Sequence, residues 1–270
     1  MVPFDIKCEK KGSNFIYLTS SELLNKSSIL IAFSKRHGGK SKSPYDSLNL
    51  ALHVGDKEEV VIENREILCS NLVIDMHRLT TCEQVHGSNV VVVDESLVGR
   101  GSLFQQEAIL QTDALITNIK DVPLAVFCAD CVPILIVDPV KRVVGVVHAG
   151  WRGTYAEISR RVVQRFVDKF GSSPKNILSF IGPHIRDCCY RVGQLFAQKF
   201  EDKFPLKLDT HPGESYLNLE EANIKQLIKS GVQPGNINSA HSCTSCNPNF
   251  FSYRRDKGVT GRQCALVVIK

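Results

Sequence analysis

The middle of the chain is a succession of short apolar runs, and these constrain the fold more than any other feature. V-V-V-V (90–93), D-A-L-I-T (113–117), P-L-A-V-F (123–127), P-I-L-I-V (133–137) and V-V-G-V-V-H (143–148) are rich in β-branched residues and separated by turn signals. A strand with one face in water alternates apolar with polar residues, whereas a strand that is apolar throughout is buried on both faces. Several of these runs are of the second kind, so they predict a sheet with a layer on each side. Further strands are expected at 29–33, 177–182 and 264–269, and an edge strand near 15–18. Asp56 with Glu59 three residues on reads as an acidic capping box. The helix it opens carries Val60, Val61, Asn64, Ile67, Leu68 and Leu72 on one face and runs to about Val73. Helices are also expected at 154–170, with Thr154 as cap, and at 191–203 and 219–230. Residues 34–50 and 96–111 read as long loops. No repeat or linker interrupts the 270 residues, which predict one mixed α/β domain over 1–270.

Composition narrows the function classes. Hydrophobic residues are 43% of the chain, enough for a sizeable core. The net charge is only +5, and the basic residues are scattered rather than gathered into the patch that nucleic-acid binding needs. The N-terminal stretch lacks an apolar signal core, and no run approaches the ~18 apolar residues of a membrane span. The expectation is a cytoplasmic protein with neither nucleic acid nor membrane as partner. Ten cysteines are many for that compartment, where disulfides are rare. They read as buried small hydrophobes, metal ligands or catalytic thiols.

Three residues stand out as a metal-ligand set: His86 in Q-V-H-G, Cys131 in C-A-D-C and His148 in V-V-H-A-G-W-R-G. Histidine and cysteine suit a borderline-soft ion such as zinc, and a catalytic zinc takes three protein ligands and keeps one position open. The gaps of 45 and 17 residues are far from any local chelate motif, so only the fold can bring the three together. Taken alone, His86 reads first as an exposed turn residue; for His148 the bland alternative, a packed residue beside a core Trp151, is the weaker reading. The glycines around His148 leave space, however, and Arg152 offers a fork suited to phosphate or carboxylate. Asp130, inside C-A-D-C, is a carboxylate candidate for proton transfer or for orienting a ligand. Arg36, His37 and Asn49 share the long loop 34–50. Phe250, Phe251, Tyr253, Arg254, Arg255 and Arg262 lie in a tail loop, where aromatics can stack on a base and arginines can clamp phosphate. A second C-x-x-C, Cys243 and Cys246, could join Cys128 and Cys131 in a structural four-cysteine site. Adjacent Cys188 and Cys189 are not expected to face one site together.

Taken in order, these segments resemble the YfiH, or laccase-domain, family. The likeness runs from S-K-R-H-G-G through S-L-N-L, H-V-G-D, E-N-R, Q-V-H-G, T-D-A-L-I-T, A-D-C-V-P-I-L, H-A-G-W-R-G-T and I-G-P to F-F-S-Y-R-R-D and G-R-Q-C-A-L-V-V-I. It implies a layered α/β/β/α domain with mixed sheets flanked by helices. It implies a metal held by His86, Cys131 and His148, with zinc as the ion and copper as the alternative, and Cys128 as a bystander. The implied activity is zinc-dependent purine nucleoside phosphorylase with adenosine deaminase activity. Adenosine and inosine would be the substrates with phosphate, and methylthioadenosine a further candidate. Substrate contacts are assigned to Arg36, Asn49, Gln84, Arg152 and Arg254, catalysis to the three ligands and Asp130, and the assembly to a monomer or small homo-oligomer.

Three other readings compete. Hydrolytic editing of a cell-wall precursor could use the same metal site. A copper polyphenol oxidase, or laccase, would need a second, multi-histidine cluster to reduce oxygen, which eight scattered histidines do not suggest. A non-catalytic metal-binding module would be supported by a closed site of Cys128, Cys131, Cys243 and Cys246.

Overall fold

The computed structural model describes residues 5–8, 16–206, 209–211 and 214–270. In chain order the strands are β1 (Asp5–Cys8), β2 (Ile16–Thr19), β3 (Ile29–Ser34), β4 (Val90–Val92), β5 (Ala114–Thr117), β6 (Leu124–Cys128), β7 (Val132–Asp138), β8 (Val143–Ala149), β9 (Leu178–Ile181), β10 (Arg191–Gly193), β11 (Asp209–His211), β12 (Glu214–Tyr216), β13 (Ile237–Ser239) and β14 (Gln263–Ile269). The helices are α1 (Ser21–Ser27), α2 (Glu58–Leu72), α3 (Trp151–Tyr155), α4 (Ile158–Phe170), α5 (Gln194–Lys203) and α6 (Leu219–Lys229).

One sheet runs β1-β2-β3-β14-β6 with antiparallel neighbours throughout. A second runs β13-β9-β7-β8-β5-β4, antiparallel in its centre and parallel at both edges. Strands β10, β12 and β11 form a small antiparallel ribbon. The period of two explains why the long strands are apolar throughout. In β3, Ile29, Ile31 and Phe33 point between the two main sheets, where they meet Leu135 and Val137 of β7 and Val144 and Val146 of β8. Leu30 and Ala32 point the other way, onto Leu68, Cys69 and Leu72 of α2. The far face of the second sheet, with Ile134 and Ile136 of β7 and Val147 of β8, is covered by Val162, Val163 and Phe166 of α4 and by α5 and α6. Two helix layers enclose two packed sheets, as the α/β/β/α expectation requires.

Four local expectations need correction. Asp56 does not cap α2. Its Oδ2 accepts from Ser41 Oγ (2.6 Å) and Asn49 Nδ2 (3.0 Å), so the loop has recruited it, and Lys57 stands at the cap without a side-chain bond. The helix expected from Thr154 starts at Trp151 and breaks into α3 and α4 at Glu157, whose φ is 60°. Thr154 is instead buried against α6: its Oγ1 accepts from Asn223 Nδ2 and its carbonyl from Gln226 Nε2. Residues 191–193 form β10 rather than the first turn of α5. Strand β2 lies between β1 and β3, so β1 is the edge; Phe15 lies outside the described residues. Helix α1, capped by the Ser20 hydroxyl accepting from Leu23 N–H, was not anticipated.

Candidate active site

The chain passes from one main sheet to the other between β6 and β7, and the crossing is Ala129-Asp130-Cys131. Asp130 has a φ of 89°, a left-handed turn that asparagine and aspartate tolerate better than most residues. Cys131 therefore sits at the seam of the two sheets. In the β7·β8 ladder Pro133 lies opposite His148 and Val132 opposite Ala149, so Cys131 faces the end of β8 and the turn into α3. A Cβ on Gly150 would come 2.8 Å from His86 Cδ2 and 3.1 Å from Cys131 Sγ. Only glycine leaves the two ligands room there. A Cβ on Gly153 would come 2.6 Å from the Gly87 carbonyl, so this position lets the Q-V-H-G turn dock on α3.

The docking brings the set together. The ligand atoms of His86, Cys131 and His148 lie within 4.8 Å of one another. The two imidazole rings stand edge to face, 4.8 Å between centroids. Asp113, at the mouth of β5, holds them in place. Its Oδ1 accepts from His148 Nδ1 (2.8 Å) and His86 N–H (3.0 Å), and its Oδ2 from Gly87 N–H (2.6 Å) and Val85 N–H (3.2 Å). This fixes the Nδ1–H tautomer of His148 and leaves Nε2 free as a ligand, the usual support for a metal-binding histidine. Burial alone would raise the Asp113 carboxyl, but His148 and these amides hold it below the ordinary range. Burial likewise opposes ionisation of Cys131, and the neighbouring His148 and His86 overcome it and draw the thiol down. His148 moves the other way: burial disfavours its charge, but Cys131 and Asp113 raise it. A thiolate beside two imidazoles, one already oriented by a carboxylate, is a donor set that fits zinc.

The three ligands open into a cavity of about 490 Å³. Phe127, Trp151, Tyr190 and Tyr253 supply aromatic walls, and Arg254 and Arg262 supply charge. His53 also lines it. Burial, then Arg262, pushes its pKa down to about 4, so it is a neutral hydrogen-bonding group at neutral pH. A larger cleft of about 770 Å³ lies beside Arg160, Arg161 and Arg165, but it contains none of the three ligands.

The other sequence candidates divide. Gln84 faces the cavity but spends both ends of its amide on Phe127: Nε2 donates to the carbonyl and Oε1 accepts the N–H, each 2.8 Å. Asp130 also faces the cavity. Its Oδ1 accepts from Thr244 Oγ1 and its Oδ2 from Arg254 N–H, both 2.6 Å. With both oxygens engaged it is placed to position the Arg254 loop. Arg254 lines the cavity, donates to the Arg191 carbonyl and lies over Tyr190. Arg152 stacks over Trp151 and borders an annex of about 140 Å³ shared with His86 and Cys131. Arg36 and Asn49 are not cavity residues. Arg36 grips the Asp46 carbonyl (2.8 Å) and carboxylate (3.2 Å) above the Phe251 ring. Asn49 is fully buried and bonds Asp56, Ala51 and the Arg262 N–H. The polar residues of that loop satisfy one another.

The rival four-cysteine module of Cys128, Cys131, Cys243 and Cys246 is not formed. Cys128 is buried at the end of β6 in the core between the sheets, and Cys131 belongs to the histidines. Beyond the wall residues Phe127 and Tyr190, Asp113 and His53 are the residues that sequence reasoning missed. Both lie in quoted segments, T-D-A-L-I-T and H-V-G-D, but only the β5·β8 pairing shows what Asp113 holds.

The family model described as multi-copper polyphenol oxidoreductase laccase matches residues 30–270. The chain belongs to this family. Within the laccase-domain family it is 40% identical over 238 residues to the purine nucleoside phosphorylase YlmD of Geobacillus stearothermophilus, covering 86% of this chain and 87% of the relative. It is 33% identical over 231 residues to adenosine deaminase RL5 from an unknown prokaryote, covering 83% and 88%. The crystal structure of YlmD from Geobacillus stearothermophilus superposes with a TM-score of 0.92, at 36% identity over 99% of this chain and 100% of that one. Among the described residues no helix is long and apolar enough to cross a membrane.

Proposed function

We propose that this protein is a zinc-dependent purine nucleoside phosphorylase that cleaves adenosine and inosine and also deaminates adenosine. The observation that carries the reading is the cluster of His86, Cys131 and His148, three ligands rather than four, at the floor of an aromatic cavity with arginines on its wall. The names of the phosphorylase and deaminase relatives support the choice of reaction. A zinc ion held by these residues supplies a Lewis acid with an open coordination position.

The chain's own residues account for the rest. A cavity of about 490 Å³ falls in the ordinary range for small-molecule sites. Tyr253, Tyr190 and Trp151 offer faces for a purine ring, and neutral His53 and the arginines offer hydrogen bonds to ribose and anion. Phosphorolysis forms a bond from a phosphate oxygen to C1′ and breaks the bond from C1′ to the base nitrogen. The bonding pair leaves with the purine, which takes up a proton. The reaction needs an anion subsite beside the ribose, and we assign it to Arg152, Arg254 and Arg262, which border the cavity or its annex. Deamination needs no such subsite.

The test is one chromatographic assay with and without phosphate. Adenosine with phosphate is expected to give adenine and ribose 1-phosphate, inosine to give hypoxanthine, and adenosine alone to give inosine slowly. No turnover of either nucleoside by zinc-loaded protein would reject the reading. The laccase description of the family favours one alternative, copper oxidation of a polyphenol. Oxygen uptake on a catechol, dependent on copper and abolished in His148→Ala, would select it.

A further inference from the structure

A second cluster of thiols stands apart from the histidines. Strands β9 and β13 are parallel neighbours, with Ile181 opposite Ser239, so the chain leaves both at the same end of the sheet. The segments that follow stay together. His184 bridges Cys243, His184 N–H donates to the Ser242 carbonyl, and Thr244 N–H donates to the His184 carbonyl. One segment carries the adjacent pair Cys188-Cys189 and the other the pair Cys243-x-x-Cys246. Their docking brings all four Sγ atoms within 4.8 Å of one another. Sequence alone made two adjacent cysteines poor partners for one site; here both approach the Cys246 sulfur.

The distances discriminate between the possible states of the sulfurs. Cys246 Sγ lies 3.6 Å from Cys188 Sγ and 3.3 Å from Cys189 Sγ. A disulfide would hold sulfurs at about 2.05 Å. A tetrahedral zinc with Zn–S bonds of about 2.3 Å places its sulfurs about 3.8 Å apart. The observed separations are close to the second figure and far from the first. None of the four thiols is in a disulfide. The N–H of Arg186 also points at Cys243 Sγ, from 3.5 Å. Four cysteines also fill every position of a tetrahedron, the closed arrangement of a structural site.

We infer that Cys188, Cys189, Cys243 and Cys246 bind a second zinc ion, a closed tetrathiolate centre separate from the His86–Cys131–His148 site. Its place in the fold gives it a purpose. The first segment continues the chain that supplies Ile185 and Tyr190 to the cavity wall, and the second runs on to Tyr253 and Arg254. Thr244, inside the C-x-x-C turn, donates to Asp130, and its carbonyl accepts from Arg255 Nη1 (2.8 Å). The ion ties together two loops that otherwise meet through a few hydrogen bonds, and it fixes one side of the substrate cavity. The inference does not depend on which reaction the cavity performs.

The test is a metal count with reductant present throughout. Wild-type protein is expected to hold about two zinc ions per chain, and Cys246→Ser and Cys188→Ser about one each. His148→Ala is expected to keep about one, and its X-ray absorption spectrum to show four sulfur neighbours at about 2.3 Å with no nitrogen. This second variant leaves the cysteine cluster intact, so misfolding of a cysteine variant does not blunt the test. A wild-type count of about one zinc that His148→Ala abolishes would overturn the inference. So would peptide mapping of the reduced, zinc-supplemented protein that finds a disulfide among these four residues.

Discussion

Asp113→Asn tests the centre of the site with the smallest change of shape. The carboxylate receives four donors, two on each oxygen, at 2.6–3.2 Å. Asparagine keeps one acceptor oxygen and turns the other into an NH₂ group facing two donors. Two hydrogen bonds to a charged acceptor are lost, each worth roughly 1.5–3 kcal/mol. The Q-V-H-G turn is partly open to water, which replaces some of that, so the low end of the sum applies, about 3 kcal/mol. The loss divides between the fold and the metal. Removing a partner that orients a ligating histidine lowers metal affinity about 10- to 100-fold, or roughly 1.4–2.7 kcal/mol. The remainder, about 1 kcal/mol, lowers Tm of the metal-free protein by about 2–4 °C. Competition with a chromogenic chelator at fixed pH measures the first quantity, and thermal unfolding with excess chelator the second. A zinc affinity within twofold of wild type would show that Asp113 staples the turn without setting the ligand geometry.

Other perturbations separate the remaining roles. Gly150→Ala places a methyl against His86 and Cys131, and is expected to cut the zinc of the histidine site by at least about tenfold in affinity with the far-UV spectrum unchanged. Arg254→Ala or Arg262→Ala is expected to depress phosphorolysis about 10- to 100-fold, and deamination much less, by removing a charge-assisted contact to phosphate; equal loss of both rates would place the phosphate elsewhere. Arg36→Ala should lower both activities together and reduce thermal stability, because its guanidinium serves Asp46 and Phe251. Arg65→Met strips the hydrogen bonds from the Leu50, Gly101 and Ser102 carbonyls and is expected to destabilise the fold by about 3–5 kcal/mol in a urea titration. Glu220 is pressed by burial toward its neutral form, but His184 at 3.4 Å and Arg186 at 3.6 Å win and hold its pKa at about 2. A depressed carboxyl stabilises the fold above its unfolded pKa, near 4.5, and that share is lost as pH falls toward 2. Glu220→Gln should therefore flatten the urea-midpoint profile in that window and leave the slope near neutrality alone.

The architecture was legible because its strands are buried on both faces, and that condition writes itself into consecutive residues. The ligand set was legible because each member has a small or turn-forming neighbour: His148 at the end of β8, Cys131 in the crossing between β6 and β7, and His86 in the glycine turn before β4. The contents of the loops were not, since polar residues in a loop look alike whether they face a substrate or each other. Arg36 and Asn49 have the chemistry of a phosphate clamp, yet Asp46 and Asp56 lie within reach and claim them. Cys188 and Cys189 carry no local signal because their partners depend on the parallel register of β9 and β13, 57 or 58 residues away in sequence.

Asp130 shows how one residue can serve both levels. The chain must leave one sheet and enter the other within three residues, which forces a positive φ at the middle position. Glycine would satisfy the backbone there at least as well. It would not supply a carboxylate with one oxygen for Thr244, inside the C-x-x-C turn, and the other for the Arg254 amide on the cavity wall. The Asp130 carbonyl meanwhile accepts from Ile185 N–H on the other loop. The residue beside Cys131 thus anchors both loops that the cysteine cluster joins. A change at either end of that connection, in Asp130→Gly or Cys246→Ser, is expected to act on the same wall of the cavity, raising KM for nucleoside while the His86–Cys131–His148 site keeps its zinc.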